Sequence, residues 1–189
     1  MNKPVLENTV LALLNAAPGL GSIQINKGLL IIDAYHHSLF LKTLTDINYV
    51  KHDLGPVPEP EAYKAIFEME LNKDKIKVRQ EKRGPIHTQN AHYAVSKPDY
   101  SVFFDISIDI IREIAQIIRH MSATRLSKVT HNKVLENTPK GSVIPIETVY
   151  STQIISRNVR KLTDSERNYA KNILEGIYGS APIALPTAH

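Results

Sequence analysis

The sequence predicts an α+β fold that is predominantly α-helical, with a helical core and a small antiparallel β-hairpin or sheet. Three observations predict it. The 189 residues include 42% hydrophobic and 22% charged residues, the balance of an ordinary soluble globular protein. Apolar residues recur at helical spacing in most segments between proline- and glycine-rich breaks. The region at residues 76–95 instead alternates its side chains, which indicates two paired strands.

The first two helices are predicted over residues 5–17 and 23–43. The Pro-Gly pair at 18–19 stops the first helix, and Ser22 is a candidate N-cap for the second. The second helix is apolar on more than one face, so we expect it to lie at the centre of the core.

The stretch GPVPEPE at residues 55–61 follows a predicted extended segment at 47–54. Its three prolines predict no regular structure, because proline lacks a backbone N–H and restricts the residue before it. A helix is predicted to begin near Pro60. Tyr63 and Phe67 lie beside the apolar stripe of this helix.

The strongest helical pattern covers residues 106–121, with Asp105 as a candidate N-cap. A short helix from Ser122 to about His131 is predicted next. Residues 141–152 are interpreted as a strand or a bent turn of helix.

Length predicts one main domain with a short appendage. Near the end of the chain, Thr163-x-x-Glu166 has the pattern of a capping box and predicts a last helix.

Several functional classes lack their signatures. The sequence contains no cysteine, which excludes disulfides, cysteine-bound metals and a cysteine nucleophile. No apolar run reaches the ~18–20 residues of a membrane span, and the first residues lack the pattern of a signal peptide, so we expect a cytoplasmic protein. Phosphate-binding glycine loops and nucleophile elbows are also absent. We therefore expect neither an enzyme nor a bound cofactor.

The eight histidines raise the question of a metal site. Asp33 and His37 have the i, i+4 spacing of two ligands on one helix face, and with a distant histidine they could form a metal hydrolase. The simpler interpretation is an intrahelical polar contact. We favour that interpretation and predict no metal.

Positive charge is concentrated in residues 114–161, which hold eight Lys/Arg and two acidic residues. Its centre, residues 119–133, contains the candidate anion contacts Arg119, Arg125, Lys128 and Lys133. A basic helical stretch of this kind can contact DNA. The simpler interpretation is a solvated helix end.

The sequence LLIIDAYHHSLF and the later LGPVPEPEAYKAIF carry a more specific pattern. The residues that match it are Lys27, Leu29, Leu30, Tyr35, Gly55, Pro56, Val57 and Tyr63. Further along, a Ser-Ala-rich short helix ends in Thr130-His131. In this order the motifs resemble those of the Panacea domain family, the SocA-like, phage-associated antitoxins of bacterial toxin–antitoxin loci. The likeness covers roughly residues 20–150. It implies one antitoxin-like domain over residues 1–150, followed by a helical extension and tail over residues 151–189.

The resemblance implies an antitoxin that neutralises a cognate toxin by binding it directly, without making or breaking a bond. A DNA-binding regulator that uses residues 119–133, on operator DNA, is the alternative. Turn chemistry gives the Gly-Pro-Val motif chiefly a structural role: Gly55 permits the turn, Pro56 restricts φ, Val57 enters the core and Tyr63 packs beneath it. Direct contact with the partner is the less favoured role of this motif. The oligomeric state is not predicted.

Overall fold

The computed structural model describes residues 1–53, 55–82, 88–131, 133–151, 163–164 and 168. Six α-helices lie in these ranges: α1 Lys3–Ala16, α2 Ser22–Phe40, α3 Pro60–Leu71, α4 Asp105–Ile118, α5 Ala123–Thr130 and α6 Lys133–Asn137. The strands are β1 Tyr49–His52, β2 Gly55–Pro58, β3 Ile76–Lys82, β4 Thr88–Ala94 and β5 Val143–Ile144. The helix-dominated α+β prediction is confirmed. The helix predicted after Thr163 lies outside the described residues, apart from three isolated positions.

Helix α2 is the central element, as its apolar pattern predicts. Every residue from Gln24 to His36 is buried. At Gly28 the neighbouring helices approach closely, because a Cβ there would lie 2.8 Å from Cδ1 of Ile118 and 3.0 Å from Cδ2 of Leu13. The helix ends three residues before the predicted position, since Leu41 takes a left-handed conformation with φ of 51°.

Two helix N-termini begin one residue earlier than predicted. The N-cap of α2 is Gly21, whose N–H donates to Oε1 of Gln24 at 2.9 Å, and Ser22 is already helical. The N-cap of α4 is Phe104. Asp105 therefore lies in the first turn, where the positive end of the helix dipole favours a carboxylate.

The strand β2 corrects the prediction that the proline-rich stretch has no regular structure. It pairs antiparallel with β1, and the sheet order is β2-β1-β5, so β2 lies at an edge. The N–H of Glu59 donates to the carbonyl of Asn48 at 2.9 Å. Because directions alternate along a strand, the nitrogens of Pro56 and Pro58 point away from β1, where no ladder N–H is needed.

The predicted β-hairpin is confirmed: β3 and β4 pair from Ile76–Ala94 to Lys82–Thr88. The turn was predicted at residues 82–85. Only Lys82 of this turn is among the described residues. The segment at 141–152 contains both predicted alternatives, the short strand β5 and a 3-10 turn over Ile146–Ser151. In the part of the chain that the structure describes, no helix has the length and apolarity needed to cross a membrane.

His92 joins the hairpin to the helices. This side chain is 1% exposed. Its Nδ1 lies 2.9 Å from the carbonyl oxygen of Leu20, and its Nε2 lies 3.2 Å from Oε1 of Glu70. Both neighbours are acceptors, which suits an imidazolium with two N–H donors. Burial by itself lowers the His92 pKa, but the hydrogen bonds to Glu70 and Leu20 outweigh it and raise the pKa above 6.5.

We expect His92 to make stability depend on pH. Its folded pKa is above its unfolded pKa, so the native state binds this proton more tightly. The stabilisation is fully present below pH 6.5 and is lost as the pH rises through the folded pKa. Thermal unfolding of the protein and of His92→Gln from pH 5.5 to 9 checks this. The variant should show a flatter profile, and His120→Gln, at an exposed site, should keep the original one. Parallel profiles for His92→Gln and the unaltered protein would contradict the assignment.

Candidate functional site

An apolar groove lies where the beginning of α2, the β1–β2 pair and α3 meet. Its volume is about 760 Å³. The residues that line it are Ser22, Ile23, Asn26, Lys27, Val50, His52, Pro56, Val57, Pro58, Pro60, Tyr63, Lys64 and Phe67. Four of the residues in the family-like motif, Lys27, Pro56, Val57 and Tyr63, are among them. The structure thus brings two motifs that are distant in sequence to one surface feature.

Lys27 is the most deeply buried basic residue among those that line this groove. The residue is only 2% exposed, and its Nζ donates to the carbonyl oxygen of Pro56 at 3.0 Å. That carbonyl lies on the edge of β2 that faces away from β1, so it is not used by the sheet ladder. Burial lowers the pKa of Lys27 to about 7, and the positive charge of Lys51 adds to the effect.

Gly55 makes room for this arrangement. Its φ is +96°, in the region that favours glycine. A Cβ at this position would lie 2.6 Å from Nζ of Lys27 and 2.7 Å from Nε2 of His131, which follows α5. Lys27, Gly55 and His131 therefore meet at one point, although they belong to three separate parts of the chain. The predicted structural role of Gly55 agrees with this geometry.

Tyr63 is not buried, which corrects the prediction that it packs beneath the Gly-Pro-Val turn. The side of α3 that faces the core carries Ala62, Ala65, Ile66 and Met69. Tyr63 and Phe67, one turn apart on the adjacent face, are 49% and 50% exposed. Val57 is also only half-buried. The helix carries more apolar surface than the core can cover, and the excess forms a wall of the groove.

Phe67 and Lys64 are groove residues that sequence reasoning missed as site candidates. The available signal is the i, i+4 spacing of Tyr63 and Phe67, which places two aromatic rings side by side on a helix. That spacing is equally typical of a core stripe. The remaining motif residues, Leu29, Leu30 and Tyr35, are buried and belong to the core.

Asp33 is a structural residue rather than half of a metal pair. Its carboxylate accepts hydrogen bonds from the N–H of Thr45 at 2.9 Å, the hydroxyl of Thr45 at 2.5 Å and the hydroxyl of Tyr49 at 2.7 Å. His37 instead lies 3.8 Å from Glu147. The predicted intrahelical contact is therefore replaced by longer-range contacts. Among the described residues, no group of three His, Asp or Glu side chains is arranged to hold a metal ion.

The basic stretch is exposed where the structure describes it. Arg125 and Lys128 lie three residues apart on α5 and are both exposed. Arg119, at the end of α4, is exposed and donates to Oε1 of Gln116 at 3.2 Å. The side chain of Lys133 lies outside the described residues. The exposed cations fit the interpretation as a solvated helix end.

The fold and groove define a helix-dominated α+β domain with an apolar groove on its surface. The chain belongs to the family described as "Antitoxin SocA-like, Panacea domain", whose match covers residues 25–135. This range contains β1, β2, α3, α5 and all of α2 except its first three residues. It therefore includes every residue that lines the groove except Ser22 and Ile23. No curated protein and no solved structure matches the chain.

Proposed function

We propose that this protein is an antitoxin that neutralises a cognate toxin by direct protein–protein binding, and that the toxin covers the apolar groove. The family supports the antitoxin class. The exposed aromatic pair, Tyr63 and Phe67, is the observation that supports the groove as the binding surface. Large aromatic side chains beside a pocket are the usual anchors of protein interfaces.

The apolar surface that a partner could bury on Tyr63 and Phe67 is large enough for a specific contact. A fully buried aromatic side chain removes about 150–250 Å² from water. Tyr63 and Phe67 are each half exposed, so a partner that covers them gains about 2–3 kcal/mol per ring at ~25 cal/mol per Å². Neutralisation by this route requires only that the partner's active surface is held covered, and no reaction takes place on the antitoxin.

The proposal extends to the organisation of the chain. Residues 1–150 form the antitoxin domain, and residues 151–189 form an extension outside the family match. The protein acts in the cytoplasm, where its toxin is made.

Operator DNA is a second candidate partner, favoured by the exposed Arg125 and Lys128 on α5. Phosphate contacts release counterions, so the logarithm of the affinity should fall with the logarithm of salt concentration by about 0.9 for each phosphate contacted. DNA retardation with no salt dependence, or none at low salt, would exclude this role.

A growth-rescue experiment tests the antitoxin proposal. The neighbouring open reading frame is expressed in a heterologous bacterium with and without this protein, and the pair is copurified. Growth arrest that this protein relieves, together with a stable complex, supports the proposal. A neighbour that is harmless, or that is toxic without rescue or complex, contradicts it for that pair.

Substitution of the aromatic pair should weaken toxin binding without unfolding the protein. We expect Tyr63→Ala and Phe67→Ala each to reduce affinity about 30-fold, equivalent to ~2 kcal/mol, because each removes an anchor. Calorimetric titration of the complex measures this. Phe104→Ala is the matched control, since Phe104 is 53% exposed but lies outside the groove. Unchanged affinity in both groove variants, with a loss at Phe104, would place the toxin on another surface.

A further inference from the structure

Among the described residues that line the groove, the side chains that can carry a positive charge have no acidic counterpart. Lys27, Lys64 and His52 line the groove, and no acidic side chain is among its lining residues in the described ranges. Lys51, on the adjacent strand, adds a further positive charge that acts on Lys27. Among the described residues, neither Lys27 nor Lys64 has a carboxylate within ion-pair distance. The other lining residues are mostly aromatic, proline or aliphatic, with Ser22 and Asn26 as the polar exceptions.

Lys27 is a costly residue for a merely structural role. An ammonium has three N–H donors, and the carbonyl of Pro56 accepts one of them. Burial of a charge without a counterion is unfavourable, and an apolar side chain of similar length would fill the same space. Burial lowers the pKa of this amine to about 7, and an anion brought by a partner would favour its protonated form again.

We propose that the occupant of the groove is an apolar segment of the toxin that carries a carboxylate, and that this carboxylate docks on the Lys27 ammonium. This inference rests on the proposed antitoxin function. Lys27 is 2% exposed, so a partner group can meet only the small part of this side chain that is open to the groove. A nucleic-acid backbone needs cations on an open surface instead. Apolar side chains that flank the carboxylate would cover Tyr63 and Phe67.

The charge chemistry can be tested without the toxin. The probes are 3-phenylpropionate and its neutral analogue 3-phenylpropanol, titrated into the isotope-labelled full chain and followed by NMR. We expect both to shift signals of Lys27, Tyr63 and Phe67, with the acid binding at least 10-fold more tightly. Equal binding of acid and alcohol, or acid binding with no shift in the groove, would overturn the proposal.

Two lysine variants separate the floor of the groove from its rim. In Lys27→Met the preference for the acid should disappear, because the variant keeps the apolar length and removes the charge. Lys64→Met should retain the preference to within about 3-fold, because Lys64 is exposed and its charge is screened by water. If both variants lose the preference for the acid to the same extent, the preference comes from the summed positive charge around the groove. That result would overturn the assignment to Lys27. If Lys27→Met does not fold, the comparison of acid and alcohol on the unaltered chain still decides.

The two proposals fail differently. Growth rescue by a protein that binds acid and alcohol equally would overturn the carboxylate inference and leave the antitoxin function. Acid preference at Lys27 with no rescue and no complex would overturn the antitoxin function and with it the toxin as occupant. Concentration-dependent dimerisation that Lys27→Met abolishes, measured by sedimentation velocity, would make a second copy the occupant and also overturn the inference.

Discussion

Replacement of Gly55 by alanine is expected to destabilise the protein by about 3 kcal/mol. Two effects combine. The φ of Gly55 is +96°, which is a left-handed conformation. Such a conformation is about 1–2 kcal/mol less favourable for a residue that has a Cβ. The new Cβ would also overlap Nζ of Lys27 at 2.6 Å and Nε2 of His131 at 2.7 Å. For a chain of this size the loss corresponds to a fall in Tm of roughly 6–12 °C, measured by thermal unfolding.

Gly141 provides a matched control for this substitution. Its φ of +83° is similar, but no atom lies within 4 Å of the place where its Cβ would be. Gly141→Ala should therefore show the backbone penalty alone, about 1–2 kcal/mol. If both alanine variants lose the same stability, the meeting of Gly55, Lys27 and His131 has no energetic importance.

Replacement of Asp33 by alanine is the second large effect we expect, a loss of about 3–5 kcal/mol at pH 5. The substitution leaves the N–H and hydroxyl of Thr45 and the hydroxyl of Tyr49 without their acceptor. Each buried donor without a partner costs about 1–3 kcal/mol. The bond to Tyr49 joins α2 to β1, and the two bonds to Thr45 hold the segment between these elements. Urea unfolding measures the free energy of unfolding, and Tyr49→Phe should lose only about 1 kcal/mol.

The pH dependence of the Asp33 substitution has a definite sign. Burial raises the pKa of Asp33 to about 6, against its hydrogen bonds with Thr45 and Tyr49, which lower it. A folded pKa above the unfolded value of 3.8 means that the stabilisation is fully present below pH 3.8 and declines as the pH rises through 6. The loss in Asp33→Ala should therefore be larger at pH 5 than at pH 8.

Asp53→Ala is the control for the Asp33 substitution. The carboxylate of Asp53 is exposed and pairs with Lys140 at 2.7 Å, a surface contact whose removal should change stability very little. A loss at Asp33 no larger than this would show that the buried hydrogen bonds to Thr45 and Tyr49 contribute little.

The spacing of apolar residues predicted the helices and the hairpin well. In each of these elements the same spacing recurs over several helical turns or several residue pairs of the strands. The apolar stripes at residues 106–121 match α4, whose buried positions include Ile110, Ile111 and Ile114. The proline-rich stretch was predicted wrongly because proline rules apply to a strand with neighbours on both sides. At Pro56 and Pro58 the sheet ends, and the missing N–H groups face away from β1.

Tyr63 shows a different reason for error. Helix α3 has two neighbouring apolar stripes, and helical spacing cannot indicate which one the rest of the protein covers. The small side chains Ala62 and Ala65 allow close approach to the core, and they take the buried side. The exposed Tyr63 and Phe67 then become groove residues.

The sequence by itself determined the helix-dominated class, the hairpin and the motifs that indicate the family, because these depend on short-range periodicity and on local order along the chain. Only the tertiary structure decided that Lys27, Gly55 and His131 meet at one point and that Lys27 lies at the floor of an apolar groove. The physical reason is that their proximity results from how α2, β2 and α5 pack together. Packing of that kind depends on shape and burial across the whole core, which no spacing within one segment specifies.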